Sequence, residues 1–92
     1  MKLKNDMKHL PVEEYEEFSD LALCSSLQFL GFPIVAINRD PKERPRVGFV
    51  FKKSKELTDT VNQFLSGVLL VEPKGFWNAS RELKSRIHTA QK

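Results

Sequence analysis

Ile34-Val35-Ala36-Ile37-Asn38-Arg39-Asp40-Pro41-Lys42-Glu43-Arg44-Pro45-Arg46-Val47-Gly48-Phe49-Val50-Phe51-Lys52 reads as strand, turn, strand. Ile34 to Ile37 is short and β-branched, entered through Pro33, and such side chains suit a pleated backbone. Asn38 to Pro45 is turn chemistry, with Pro41 and Pro45 stiffening a cationic loop. From Arg46 to Lys52 the chain extends again. Successive strand residues point to opposite faces, so Val47, Phe49 and Phe51 share one face and Gly48, Val50 and Lys52 the other. The spacing predicts an antiparallel hairpin with an apolar face and a long basic tip.

The flanking segments supply helices to cover that face. Upstream, Ser19 is placed to cap a helix with its hydroxyl, and Asp20 suits the positive helix start. The helix runs to Leu30, and Gly31 is free to take the left-handed stop position. Leu23, Leu27 and Leu30 form its inner stripe, with Cys24 at the margin. Leu21 and Phe29 fall off the stripe, which predicts cover on a second side by the N-terminal segment or another subunit. Val12 to Phe18, rich in glutamate, packs only through Tyr15 and Phe18.

Downstream, Ser54 caps a helix whose Leu57, Val61, Phe64 and Leu65 recur at helical spacing, and Gly67 ends it. Val68 to Val71 either adds a short third strand or crosses the sheet edge. Glu72-Pro73 then opens a last helix, because proline at the first position loses no needed N–H. The expected fold class is therefore α+β. An antiparallel β-hairpin packs against three helices in the order helix, strand, strand, helix, optional strand, helix.

Ninety-two residues make one domain, since two cores would leave each half too small. Residues 1–11 are expected to be a flexible N-terminal tail and residues 12–90 a single compact domain. A hydrophobic fraction of 40% with 29% charged residues is ordinary for a folded protein. The single cysteine, Cys24, cannot form an internal disulfide, so a reducing, cytoplasmic setting is the simplest. Residues 1–11 lack the apolar core of a secretory signal. Leu21 to Asn38 is uncharged, but Gly31 and Pro33 break it below spanning length, so no membrane is expected as a partner.

The net charge of +3 conceals alternating blocks. Residues 1–20 carry −3, residues 39–55 +5, residues 56–72 −3 and residues 73–92 +4. A fold that gathers blocks of one sign makes a dipolar surface, whereas scattered blocks serve only solubility.

Two stripes run along the last helix. Phe76, Leu83 and Ile87, with small Ala79, Ser80 and Ala90, define the core-facing one. At about 100° per residue, Trp77, Arg81, Lys84 and His88 form a second stripe, with Lys74 at its edge. Arginine and lysine neutralise phosphates and tryptophan stacks on bases, although such residues also serve as a plain solvated rim. The hairpin tip contributes Arg39, Lys42, Arg44 and Arg46, with Lys52, Lys53 and Lys55 on its flank. A basic ribbon can track a phosphate backbone, and lysines and prolines equally protect strand edges.

Arg46 to Phe51 partly echoes an RNA-recognition-motif signature through Gly48, Phe49 and Val50, but Val47 and Lys52 stand where aromatics belong. Phe49 and Phe51 are read as core. Cys24 has no activating charge beside it in its helix, and His9 and His88 with one cysteine make no zinc spacing. No phosphate loop or nucleophile elbow is present. No enzyme activity, cofactor or metal is expected.

Ser19-Asp20-Leu21-Ala22-Leu23, Gly31-Phe32-Pro33-Ile34, Phe49-Val50-Phe51, then Gly67, Val71, Glu72-Pro73 and Leu83-Lys84-Ser85-Arg86-Ile87 together give a family resemblance. Over about residues 15–88 the chain resembles a family of small microbial proteins that carries only a domain-of-unknown-function label. The family often has an aromatic at the position of Leu65 and aspartate at that of Glu72, differences of packing and capping. The resemblance implies bacterial, archaeal or phage origin and a stand-alone cytoplasmic domain. It implies no activity and no site residues.

The leading expectation is a non-enzymatic accessory protein that binds DNA or RNA, or a nucleoprotein complex, through a basic surface. That surface comprises Arg39, Lys42, Arg44, Arg46, Trp77, Arg81, Lys84 and His88. The alternative is a protein–protein interaction module: an oligomer, or an adapter or inhibitor of a larger host or phage complex.

Overall fold

A computed structural model of the chain describes residues 12–39 and 47–90. After a 3-10 turn, Val12–Glu14, come β1 (Tyr15–Phe18), α1 (Leu21–Phe29), β2 (Ile34–Arg39), β3 (Val47–Lys52), α2 (Lys55–Leu65) and α3 (Pro73–Ala90). The strands form one antiparallel sheet in the order β1-β3-β2, so the hairpin strand richest in phenylalanine is central.

The third strand comes from the N-terminal side of the hairpin, not from Val68–Val71. Tyr15 pairs with Lys52, Glu17 with Val50 and Phe18 with Phe49. Phe18 faces the core, its ring centroid 6.1 Å from that of Phe51. Val68–Val71 forms no strand, because the Val68 and Leu69 N–H groups both donate to Gln63 O at the end of α2, at 3.0 and 3.2 Å.

β2 runs two residues beyond the expected Ile37 and contains a bulge. Ile34 pairs with Phe51 while Ala36 pairs with the next residue, Val50, leaving Val35 as the extra residue. That irregularity keeps both Ile34 and Ile37 on the face of Phe49 and Phe51.

The hairpin's apolar face is the core face. Val47, Phe49 and Phe51 are buried with Leu23, Cys24 and Leu27 of α1, Leu57 of α2 and Leu83 of α3. Burying a phenylalanine or leucine side chain is worth about 1.5–3 kcal/mol each, which is what fixes three helices on one side of a short sheet.

Helix ends show which sequence signals operate. Asp20, not Ser19, caps α1: its carboxylate accepts from the Leu23 N–H at 3.1 Å, three residues on. The serine is one residue too early for that geometry. Gly31 follows with φ +98°, a left-handed conformation that glycine takes without strain. Ser54 caps α2 by accepting from the Leu57 N–H at 3.0 Å. Glu72 accepts from the Lys74 and Gly75 N–H groups at 2.9 and 2.7 Å, so its carboxylate satisfies two free donors at the start of α3.

α1 is buried over five consecutive residues, Leu23 to Leu27, more than one face of a helix can present. α3 supplies cover on a second side, and Phe18 of the N-terminal segment also reaches α1, its carbonyl 3.6 Å from Cys24 Sγ. Leu21 packs against the core, and Phe29 sits so close to Gly75 that a Cβ there would overlap its ring. Gly75→Val should therefore destabilise by about 1–3 kcal/mol through overpacking. At an open helical site, replacing glycine would instead stabilise. Urea unfolding of Gly75→Val, Phe29→Ala and the double variant checks the contact. Strictly additive costs would rule out Phe29 as the clashing group.

Candidate functional site

α3 is held at both ends and presents one long outer face. Glu72 and Pro73 start it, and Ala79, Ser80 and Leu83 are buried, with Phe76 and Ile87 half-buried beside them. The second stripe, about 100° round the helix, is open. Trp77 is 57% exposed, and Lys74, Arg81, Lys84 and His88 are exposed around it.

The Lys84 ammonium stands 5.7 Å from the centroid of the Trp77 ring, two turns along. A cation over an exposed indole face is worth about 0.5–1 kcal/mol, enough to bias the ring's orientation but not to bury it. Among the described residues the one ion pair is Lys55 with Asp59, on α2, at 3.3 Å. No described carboxylate neutralises Arg81 or Lys84.

Arg39 behaves differently from the expectation that placed it in a solvent-facing basic tip. Its pairing with Val47 puts it on the helix-covered face, where its Nη2 donates to Ile87 O at 2.7 Å. It thereby satisfies a carbonyl near the end of α3, where the last helical turn has no N–H of its own to offer. The contact ties the end of β2 to the turn that carries His88. Lys42, Arg44 and Arg46 lie outside the described residues, as does the N-terminal tail. Of the expected site, the structure thus gathers Trp77, Arg81, Lys84 and His88 and assigns Arg39 a contact within the fold.

The resemblance to an RNA-recognition motif fails on geometry. Such a motif stacks bases on aromatics of an exposed sheet face, but Phe49 and Phe51 lie under the helices, each 1% exposed. The other sheet face carries Gly48 and Val50, with a carboxylate across it. Asn38 Nδ2 donates to Glu17 at 3.2 and 3.3 Å, bridging the two edge strands over the central one. A Cβ on Gly48 would overlap the Glu17 side chain. A negative group there repels phosphate. Sequence reading missed this bridge because its partners stand 21 residues apart.

Cys24 is fully buried, its Sγ 3.6 Å from Phe18 O. Burial, and secondarily the Asp20 carboxylate, push its thiol up to about 12, so it stays protonated and non-nucleophilic. Among the described residues no three His, Cys, Asp or Glu side chains are grouped to hold a metal, and no helix is long and apolar enough to cross a membrane.

No curated protein and no solved structure matches the chain. A family model described as a domain of unknown function, DUF5659, matches residues 13–89, which takes in the β1-β3-β2 sheet and α1, α2 and nearly all of α3. With the match running through core, caps and the α3 face alike, the chain belongs to the DUF5659 family.

Proposed function

We propose that this domain is a non-enzymatic accessory protein that binds nucleic acid, free or within a nucleoprotein complex, through the outer stripe of α3. One observation carries the reading: an exposed tryptophan in a row of exposed cations that no described carboxylate offsets. Lysine and arginine there release counterions from a phosphate backbone, and Trp77 offers a stacking surface worth about 1–3 kcal/mol per unpaired base. Contacts of this kind give affinity without sequence preference.

If Lys74, Arg81 and Lys84 each neutralise one phosphate, duplex binding should fall with a log–log salt slope of roughly −3. Fluorescence anisotropy against single- and double-stranded DNA and RNA at two salt levels tests this. Arg81→Glu/Lys84→Glu should bind roughly tenfold or more weakly at low salt, with a slope shallower by about 2. Trp77 is the only tryptophan, so quenching of its emission reports contact at the stripe directly. Matching curves for wild type and the double variant would remove α3 from the binding surface.

The reading as a protein-interaction module loses its first support, since Leu21 and Phe29 are covered within the chain. It gains another in the α2–α3 connection.

A further inference from the structure

Among the described residues, six large apolar side chains stand exposed: Leu30, Val35, Leu65, Val68, Leu70 and Trp77. All but Val35 lie where α1 and α2 end and α3 begins, and the Phe29–Gly75 contact joins two of those ends. The most exposed is Leu70, at 86%. Within the connection the exposure alternates: Val68, Leu70 and Glu72 are open, Leu69 and Val71 half-buried. That is the two-residue period of a strand with one face against the protein.

Backbone groups tell the same story. The Val68 and Leu69 N–H groups are engaged by Gln63 O, while those of Leu70, Val71 and Glu72 donate to no described residue. The carbonyls of Val68 to Val71 likewise accept nothing from described residues. The edges of the sheet itself are blunted, β1 by Glu16 and Glu17 and β2 by its bulge at Val35. From Thr60 to Val71 there is no charge at all. An apolar, unpaired and unprotected strand-like segment is what edge-to-edge pairing requires.

We propose that Val68–Glu72 pairs antiparallel with the same segment of a second copy of this chain, about a two-fold axis at Leu70. The free backbone groups select that register. Leu70 of each copy exchanges its N–H and C=O with Leu70 of the other, and each Glu72 N–H meets the Val68 carbonyl of the second copy. An axis at Leu69 would need an N–H that Gln63 already holds. Pairing at Leu70 also sets Leu69 against Val71 of the second copy on the half-buried face, and no two like charges oppose one another. A two-fold contact is self-complementary, so one segment supplies both halves. The inference does not depend on nucleic-acid binding.

Sedimentation across a wide concentration series tests it, with expected mass doubling as concentration rises. Leu70→Lys should hold the protein at monomer mass, and because Leu70 is exposed the thermal melt of dilute protein should not move. A second measurement reads the register. Leu70→Cys should oxidise to a disulfide-linked dimer much faster than Val68→Cys, since only residue 70 meets its own counterpart, and buried Cys24 adds no background. A wild type that stays monomeric, vesicle-bound or captured only by other proteins included, overturns the proposal. So does a dimer that Leu70→Lys leaves intact, and equal oxidation rates overturn the register.

Discussion

Phe51→Ala should lower the free energy of unfolding by about 3–5 kcal/mol, the range for deleting a buried phenyl ring from a core. The ring is 1% exposed, at the middle of a three-stranded sheet, between Glu16 on β1 and Ile34 on β2. It also packs near Phe18, so its loss loosens the short edge strand as well as the helix layer. A domain of this size has on the order of 5–14 kcal/mol in total, so the variant would retain only a fraction of its stability. The thermal midpoint should fall by more than about 12 °C, read by circular dichroism. Val35→Ala, at the exposed bulge residue, is the matched control and should change little. A Phe51→Ala variant that melts with the control would mean that the hairpin's apolar face is not the centre of the core.

The hairpin, the three helices and their core residues were legible because each rests on a local period. Val47, Phe49 and Phe51 alternate, and Leu57, Val61 and Phe64 recur at helical spacing. Burial in the structure follows those patterns, with Phe49, Phe51 and Leu57 among the most enclosed side chains. Where the third strand lies was not legible, because local pattern and pairing diverge. Val68-Leu69-Leu70-Val71 has the composition of a strand but sits beyond the sheet, tied to α2 through Gln63. Tyr15-Glu16-Glu17-Phe18 has a poor strand composition, yet an edge strand needs only one apolar contact, and Phe18 makes it. The choice between Ser19 and Asp20 as cap turned on a shift of one residue, which composition does not resolve.

The α3 stripe was readable for the same reason as the core: both are consequences of helical periodicity on one element. Arg39 was not. Its role depends on a contact 48 residues away in sequence, with a backbone carbonyl that carries no side-chain signature. The alternation of Val68 to Glu72 was visible as apolar residues. Only the fold distinguishes a strand already paired within the chain from one whose outward side meets no described residue.

Cys24 gives the second large effect, and it is set by pH. In the folded chain burial, reinforced by Asp20, raises the thiol from its ordinary 9.0 to about 12. Above pH 9 the unfolded chain releases this proton while the folded chain keeps it, so the unfolded state binds fewer protons and stability falls as pH rises. The slope is about 1.4 kcal/mol per pH unit, or roughly 3 kcal/mol lost by pH 11, ending as the folded thiol itself ionises near pH 12. Tyrosine and lysine titrate in the same range, so the measurement is a difference. Urea unfolding of wild type and Cys24→Ala at pH 7, 9 and 11 cancels the shared groups. Near neutrality the variant should be the less stable, because removing the sulfur leaves a cavity. From pH 9, where the unfolded thiol is already half ionised, to pH 11 the gap should close by roughly 2 kcal/mol and can reverse. A gap that stays constant across that range would mean that the thiol ionises as readily folded as unfolded. Cys24 would then have to be reached by solvent, and the α1 packing described above would not hold.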